Sequence, residues 1–185
     1  MSAVAGWRRN LVSAYLAGDG VIAYPTEGVW GLGCLPASVQ AVARILALKE
    51  RRWEKGLLLV AADISQFDDY LMGLDNDKRC ELENNWPGPI TYLLPDNGVA
   101  PRWVVGNNAT VGLRVSDHPV VRALCESIGP LVSTSANVTG RPAAVTSLQV
   151  RQYFGAGVDH LVPGKLGNSI GPSVIKHLGT GEQIR

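Results

Sequence analysis

Cysteine is scarce and scattered in this 185-residue chain: Cys34, Cys80 and Cys125 lie far apart, with no Cys-x-x-Cys pair. An odd, dispersed set argues against a disulfide framework or a structural zinc and fits a reducing compartment. Histidine is equally sparse. His118, His160 and His177 are isolated from one another, so each is read as a structural or surface residue and no metal site is expected. Neither a Gly-x-x-x-x-Gly-Lys-Ser/Thr phosphate loop nor a Gly-x-Ser-x-Gly elbow occurs, which disfavours covalent catalysis. No apolar run approaches the roughly 20 residues of a membrane span. The N-terminus has no long apolar core behind its charges, so a cytoplasmic protein without a membrane partner is expected. The formal net charge of +1 excludes a uniform basic face of the kind DNA-binding proteins carry, although a local basic groove remains compatible with it. Length and composition fit one domain over residues 1–185 with a sizeable core.

What the chain does contain is organised around Val21-Ile22-Ala23-Tyr24-Pro25-Thr26-Glu27-Gly28-Val29-Trp30-Gly31-Leu32-Gly33-Cys34. Four apolar or aromatic residues read as a buried strand, which Pro25 ends by removing a backbone donor. Thr26 and Glu27 follow at the strand end, where α/β domains bind ligands, and three glycines let backbone approach. The segment is either one wall of a small-molecule site or simply a strand followed by a glycine-rich turn. Upstream, Val4, Trp7, Leu11 and Tyr15 recur at helical spacing, and Gly18 with Gly20 stops that helix.

Ser38 is positioned to cap a helix running to about Glu50. Lys49, Arg51, Arg52 and Lys55 cluster at its end, either as an anion clamp or as a solvated end that suits the helix dipole. Leu57–Ala62 is a continuous apolar run and predicts a central strand. Residues 64–85 predict one or two helices, Ile90–Leu94 a strand, and Asp96–Asn108 a loop. Thr110–Val115 alternates as a strand that carries Arg114 near its end, and Ser116 or Asp117 caps the next helix. Pro130–Gly140 repeats the opening logic, with an apolar strand running into Ser133, Ser135 and Asn137. Residues 147–154 predict a helix, Val158–Val162 a strand and Pro172–Lys176 a last strand. The class that results is α/β: a single-domain twisted mixed β-sheet with surrounding helices.

Arginine forks, lysine charges, hydroxyls and amides together suit phosphate. Displacement at phosphorus depends on positioning and charge stabilisation and makes little demand for a protein nucleophile. The strand tips and the cations are therefore expected to enclose one pocket.

Tyr24-Pro25-Thr26-Glu27 with Gly31-Leu32-Gly33, Lys49-x-Arg51, and Ser133-Thr134-Ser135-Ala136-Asn137-x-Thr139-Gly140 together resemble the YrdC/TsaC family. Trp86-Pro87-Gly88-Pro89-x-Thr91 and Arg114-x-x-x-His118-Pro119 extend the match over nearly the whole chain, in order. The resemblance implies a concave, positively charged cavity and a threonylcarbamoyl-AMP synthase. Such an enzyme joins L-threonine, bicarbonate and ATP, with Mg2+ on the phosphates, in the first step of tRNA t6A modification. TsaB/TsaD/TsaE-type proteins would use the product, and tRNA itself is an implied partner. By the same resemblance Lys49, Arg51, Ser135 and Asn137 form a catalytic, phosphate-binding set. Lys55 and Thr110 add to the ATP site, and Thr26, Arg114, Ser133 and Ser173 hold threonine. The chain departs from the pattern at Arg52, where members often carry proline, and at Lys55 and Val60, where longer relatives have asparagine and histidine. A rival reading is a non-catalytic RNA-binding module built on Lys49–Lys55 with Trp53 and Trp103, since RNA phosphate calls for the same side chains.

Overall fold

The computed structural model describes residues 3–184, with side chains from Asn10 onward; the side chains of Val4 and Trp7 therefore lie outside the described residues. Eight strands form one mixed sheet in the order β7-β1-β2-β6-β3-β5-β4-β8. They are β1 (Ile22–Pro25), β2 (Trp30–Cys34), β3 (Leu58–Ala61), β4 (Ile90–Pro95), β5 (Thr110–Val115), β6 (Leu131–Ser135), β7 (His160–Leu161) and β8 (Val174–His177). The pairs β1–β7, β3–β5 and β4–β8 are parallel, and the other four are antiparallel.

One sheet face is fully covered. Trp30, Leu32, Leu59, Ala61, Tyr92, Leu113 and Val132 pack there beneath α2 (Val39–Leu48), α3 (Asn76–Asn85), the short α4 (Arg102–Val105) and α6 (Ser147–Phe154). The other face is covered only in part. Ile22, Tyr24, Val60 and Leu131 pack with Val12, Leu16, Val121, Leu124 and Cys125 of α1 (Ala3–Ala17) and α5 (Pro119–Ile128). The remainder of that face is open, and the strand ends carrying hydroxyls border it.

Most predicted elements form where the periodicity places them. Ser38 caps α2 by accepting the Ala41 amide, and Gly18 and Gly20 close α1 on the carbonyls of Ala14 and Tyr15. Residues 147–154 form α6 behind a Thr146/Gln149 capping box. Several details differ. Gly31 and Gly33 belong to β2, because the turn is confined to Thr26–Val29 and closed by the Thr26 amide on the Val29 carbonyl at 3.0 Å. The cap of α5 is His118, whose Nδ1 accepts the Val120 amide; Ser116, two residues earlier, gives its hydroxyl proton to Glu27 and accepts the His118 amide. The segment 96–108 contains α4 and is tied down by Trp103, whose indole donates to the Pro36 carbonyl at 2.8 Å. The last strand starts at Val174, and the strand expected over Val158–Val162 shortens to His160–Leu161.

The glycines of β2 are spacers. Tyr24 lies across them, and a Cβ on Gly33 would stand 2.6 Å from the Val132 carbonyl and 2.8 Å from the Tyr24 ring. Real side chains do not approach so closely, so strand pairing and ring placement both need an empty position there. Gly33→Ala is expected to lower stability by about 1–3 kcal/mol, read as a reduced urea midpoint at unchanged m.

Candidate functional site

Glycine also shapes the open face. One cross-strand row runs Ile22, Gly33, Ser133, Leu58, Gly112, Leu93. Its two glycines lower the floor on either side of Ser133 and Leu58. Leu58 leans over Gly112, where a Cβ would meet its Cδ2 at 2.4 Å. The result is two adjoining cavities that share Leu58, in place of the one pocket expected from the sequence.

The first cavity, about 430 Å3 and open to solvent, is lined by Thr26, Arg114, Ser133, Ser135 and Ser173, together with Thr91 and an apolar strip that includes Val29 and Val60. All four predicted threonine-holding residues therefore meet in one place. The polarity of their hydroxyls can be read from their partners. Thr26 Oγ1 donates to the Val29 carbonyl at 2.8 Å, so toward the cavity it only accepts. Ser133 Oγ accepts the Tyr24 hydroxyl at 2.9 Å, which leaves its own proton to give. Thr91 and Ser173 share a hydroxyl contact of 3.0 Å.

Arg114 is the cation of this cavity, and its partner is Glu27, a residue for which sequence reasoning assigned no role. Arg114 Nη2 lies 3.2 Å from Glu27 Oε2, with the two side chains 9% and 11% exposed. Glu27 Oε1 accepts the Ser116 hydroxyl at 2.6 Å and the Asp117 amide at 3.2 Å. Burial pushes the Glu27 carboxyl upward, but the Arg114 charge and these hydrogen bonds outweigh it and hold the group below the usual carboxylate range. A loop over 163–173 closes one side. Gly167 and Ser169 donate to the Thr26 and Glu27 carbonyls at 3.0 Å each, and His118 Nε2 contacts the Lys165 carbonyl at 3.0 Å. Because Nδ1 of His118 accepts an amide, its Nε2 carries the proton and donates.

Three members of the predicted phosphate-binding set are joined directly. Lys49 is buried at the C-cap of α2. Its ammonium donates to the Ser135 carbonyl, to the Asn137 carbonyl at 2.8 Å and to Asn137 Oδ1 at 3.2 Å. Ser135 Oγ donates to the same Oδ1 at 2.7 Å. Arg51 turns elsewhere: its guanidinium donates to the Gly56 carbonyl at 2.9 and 3.1 Å. It thereby shapes the turn that presents Lys55 to the second cavity. That cavity, about 510 Å3, is lined by Lys55 and Thr110 with Asn108, Leu93, Ile175 and Ile184. Of the basic cluster, then, Lys49 and Arg51 bond to nearby backbone carbonyls, and Arg52 pairs with Glu54 at 3.3 Å. Of the two aromatics invoked for RNA, Trp53 is exposed and Trp103 is half-buried and packed on the core.

Thr91 was legible as the last residue of the Trp86-Pro87-Gly88-Pro89-x-Thr91 motif, although its place in the cavity was not. The pairing of Glu27 with Arg114 had no local signal, since it joins a hairpin turn to a strand distant in sequence. Because the folded state holds Glu27 below its unfolded value of 4.5, its contribution is complete above that pH and is lost as pH falls further. Glu27→Gln is expected to lower stability near neutrality by roughly 3 kcal/mol, by leaving Arg114 buried without its counter-charge. It should also flatten the acid limb of stability against pH, as read by urea unfolding across that window.

The model of the Sua5/YciO/YrdC family, described as "Telomere recombination", matches residues 14–185. Proteins named threonylcarbamoyl-AMP synthase are among the most similar relatives. The one from Pseudomonas putida W619 is 50% identical over 182 residues, covering 98% of each chain. The one from Nitrosococcus oceani is 49% identical over 180 residues, covering 97% of each. Among solved structures, P. abyssi Sua5 complexed with L-threonine superposes with a TM-score of 0.87 at 26% identity, over 96% of this chain and 52% of that one. E. coli YciO gives 0.85 at 27% identity, over 96% and 87%. With the family model spanning all but the first turns of α1, and relatives near half-identical from end to end, this chain belongs to the Sua5/YciO/YrdC family.

Proposed function

We propose that this chain is a threonylcarbamoyl-AMP synthase, which makes threonylcarbamoyl-AMP and pyrophosphate from L-threonine, bicarbonate and ATP. The observation that carries the reading is the first cavity itself. An accept-only hydroxyl, a proton-bearing hydroxyl and a charge-compensated arginine stand together beside an apolar strip. L-Threonine presents the complement: a hydroxyl that donates to Thr26, a carboxylate for Arg114 and Ser133, and a methyl group for Val29 and Val60. The similarity to a Sua5 whose structure was solved with L-threonine supports the same reading.

The chemistry asks for containment more than for a nucleophile. The amine of threonine attacks bicarbonate with loss of water, or CO2 with loss of a proton, and the carbamate forms. A carbamate oxygen then attacks the α-phosphorus, and pyrophosphate departs with the electron pair of the broken P–O bond. Both steps bring anions together, so the protein lowers the barrier by holding cations and donors at the right places. Ser135 and Asn137, braced from behind by Lys49, face the phosphates, with Arg51 at the turn beyond. Lys55 and Thr110 receive the nucleoside in the second cavity, and Ser173 with Thr91 closes the threonine side.

Mg2+ belongs to the substrate in this scheme. Among the described residues no three His, Cys, Asp or Glu side chains are grouped to hold an ion, and the carboxylate at the cavity is committed to Arg114, Ser116 and the Asp117 amide. In this reading the ion arrives on the triphosphate, and no step is assigned to a protein-held metal.

No helix among the described residues is long and apolar enough to cross a membrane, consistent with work in the cytoplasm. There the product serves TsaB/TsaD/TsaE-type proteins and tRNA in the t6A pathway. Mass spectrometry of the product formed from ATP, threonine and bicarbonate tests the reading, with pyrophosphate release dependent on all three. Arg51→Ala is expected to reduce that release by at least about a hundredfold while the chain stays folded by circular dichroism. Unchanged release would remove Arg51 from the mechanism.

A further inference from the structure

We propose that Tyr24 is a positioning residue for the amino acid substrate: its hydroxyl orients Ser133 so that the Ser133 proton is presented to the cavity. The inference rests on reading that cavity as the threonine subsite, and it concerns a residue that touches no substrate. Tyr24 is fully buried and is not part of the cavity wall.

The confinement of the ring comes first. Tyr24 pairs with Gly31 across the β1–β2 ladder. Cβ atoms built on Gly31 and Gly33 would stand 3.2 and 2.8 Å from its ring carbons, and the Gly33 position would also lie 3.0 Å from its hydroxyl. The ring thus fills the groove left by two missing side chains, and packing on α1 and α5 residues holds its other side. Its hydroxyl has one place to go, Ser133 Oγ at 2.9 Å. Burial pushes the phenol well above its ordinary range, so it keeps its proton and remains a donor.

The consequence falls on Ser133. A free serine rotor offers its proton or its lone pairs to whatever is near. With one lone pair taken by Tyr24, the serine proton has to point away from the phenol, and Ser133 lines the same cavity as Arg114 and Thr26. Thr26 is fixed in the opposite sense by the Val29 carbonyl. The two hydroxyls therefore differ by design of their partners: one gives a proton to the ligand and the other receives one. A β-hydroxy amino acid fits this polarity in one orientation, and a hydroxyl free to rotate would relax it.

Tyr24→Phe keeps the ring and removes only the hydroxyl. Threonine would be titrated at saturating ATP and bicarbonate, with pyrophosphate release as readout, in the unaltered chain, Tyr24→Phe, Ser133→Ala and the double variant. Tyr24→Phe is expected to raise KM for threonine about five- to tenfold, with kcat and KM for ATP within about twofold. In the Ser133→Ala background the same change should have no further effect on KM, because the phenol acts through that serine. An unchanged threonine KM in Tyr24→Phe overturns the proposal and leaves the synthase reading intact, as does a full effect that survives in the Ser133→Ala background. Absence of pyrophosphate release by the unaltered chain overturns both.

Discussion

A desolvated ion pair between Glu27 and Arg114 is the junction on which the open face depends. Glu27 sits in the turn of the β1–β2 hairpin and Arg114 on β5, with β6 and β3 between the hairpin and that strand in the sheet. Two buried charges require excellent compensation. Oε1 of Glu27 has it, from the Ser116 hydroxyl and the Asp117 amide. Oε2 is buried without a hydrogen bond and is held by the charge of Arg114. One carboxylate thus anchors the hairpin turn, the end of β5 and the entry to α5. Replacing the pair by apolar residues would serve stability as well or better, so its retention at a cavity fits a cation kept for a ligand.

Around that junction, space is made by absent side chains. Gly33 and Gly112 lower the sheet floor beside Ser133 and Leu58, and Gly28 lets the 163–173 loop cross, since a Cβ there would fall 2.0 Å from the Gly171 carbonyl. The loop then brings Pro172 and Ser173 into the cavity wall. Cations and hydroxyls are few in this arrangement, but most are oriented by a partner: Thr26, Lys49 and Arg51 by backbone carbonyls, Arg114 by the Glu27 carboxylate, Ser133 by the Tyr24 hydroxyl and Ser135 by Asn137 Oδ1. Such preorganisation is what charge-stabilising catalysis needs, because donors already in place do not reorganise during reaction.

Much of this was legible in the residues. Val21–Tyr24, Thr110–Val115 and Pro130–Ser135 show their strands by apolar runs or alternation, and α2 and α6 by caps and spacing. Thr26, Arg114, Ser133 and Ser135 were marked by lying where apolar strands end. What could not be read was long-range pairing. Nothing local indicates that Ser116 would give its hydroxyl to Glu27, or that His118 would be the residue that caps the helix. Nor could spacing show Leu58 leaning on Gly112 to divide the site. Trp103 lies in a segment expected as a loop and is one of the aromatics of the RNA-binding reading, yet the Pro36 carbonyl and the core hold it.

The strand order also bears on how the chain is made. β6 lies between β2 and β3, and its contacts reach far back: Tyr24 and Ser133, joined by a hydrogen bond, are 109 residues apart. As the polypeptide leaves the ribosome, its first third carries β1, β2 and β3 with a strand-wide gap in the middle. Two unpaired ladders then stay open to other chains until the segment from Leu131 to Ser135 emerges. A nascent product arrested before that point would be a client for chaperones, and insertion of β6 is the step that closes both edges at once.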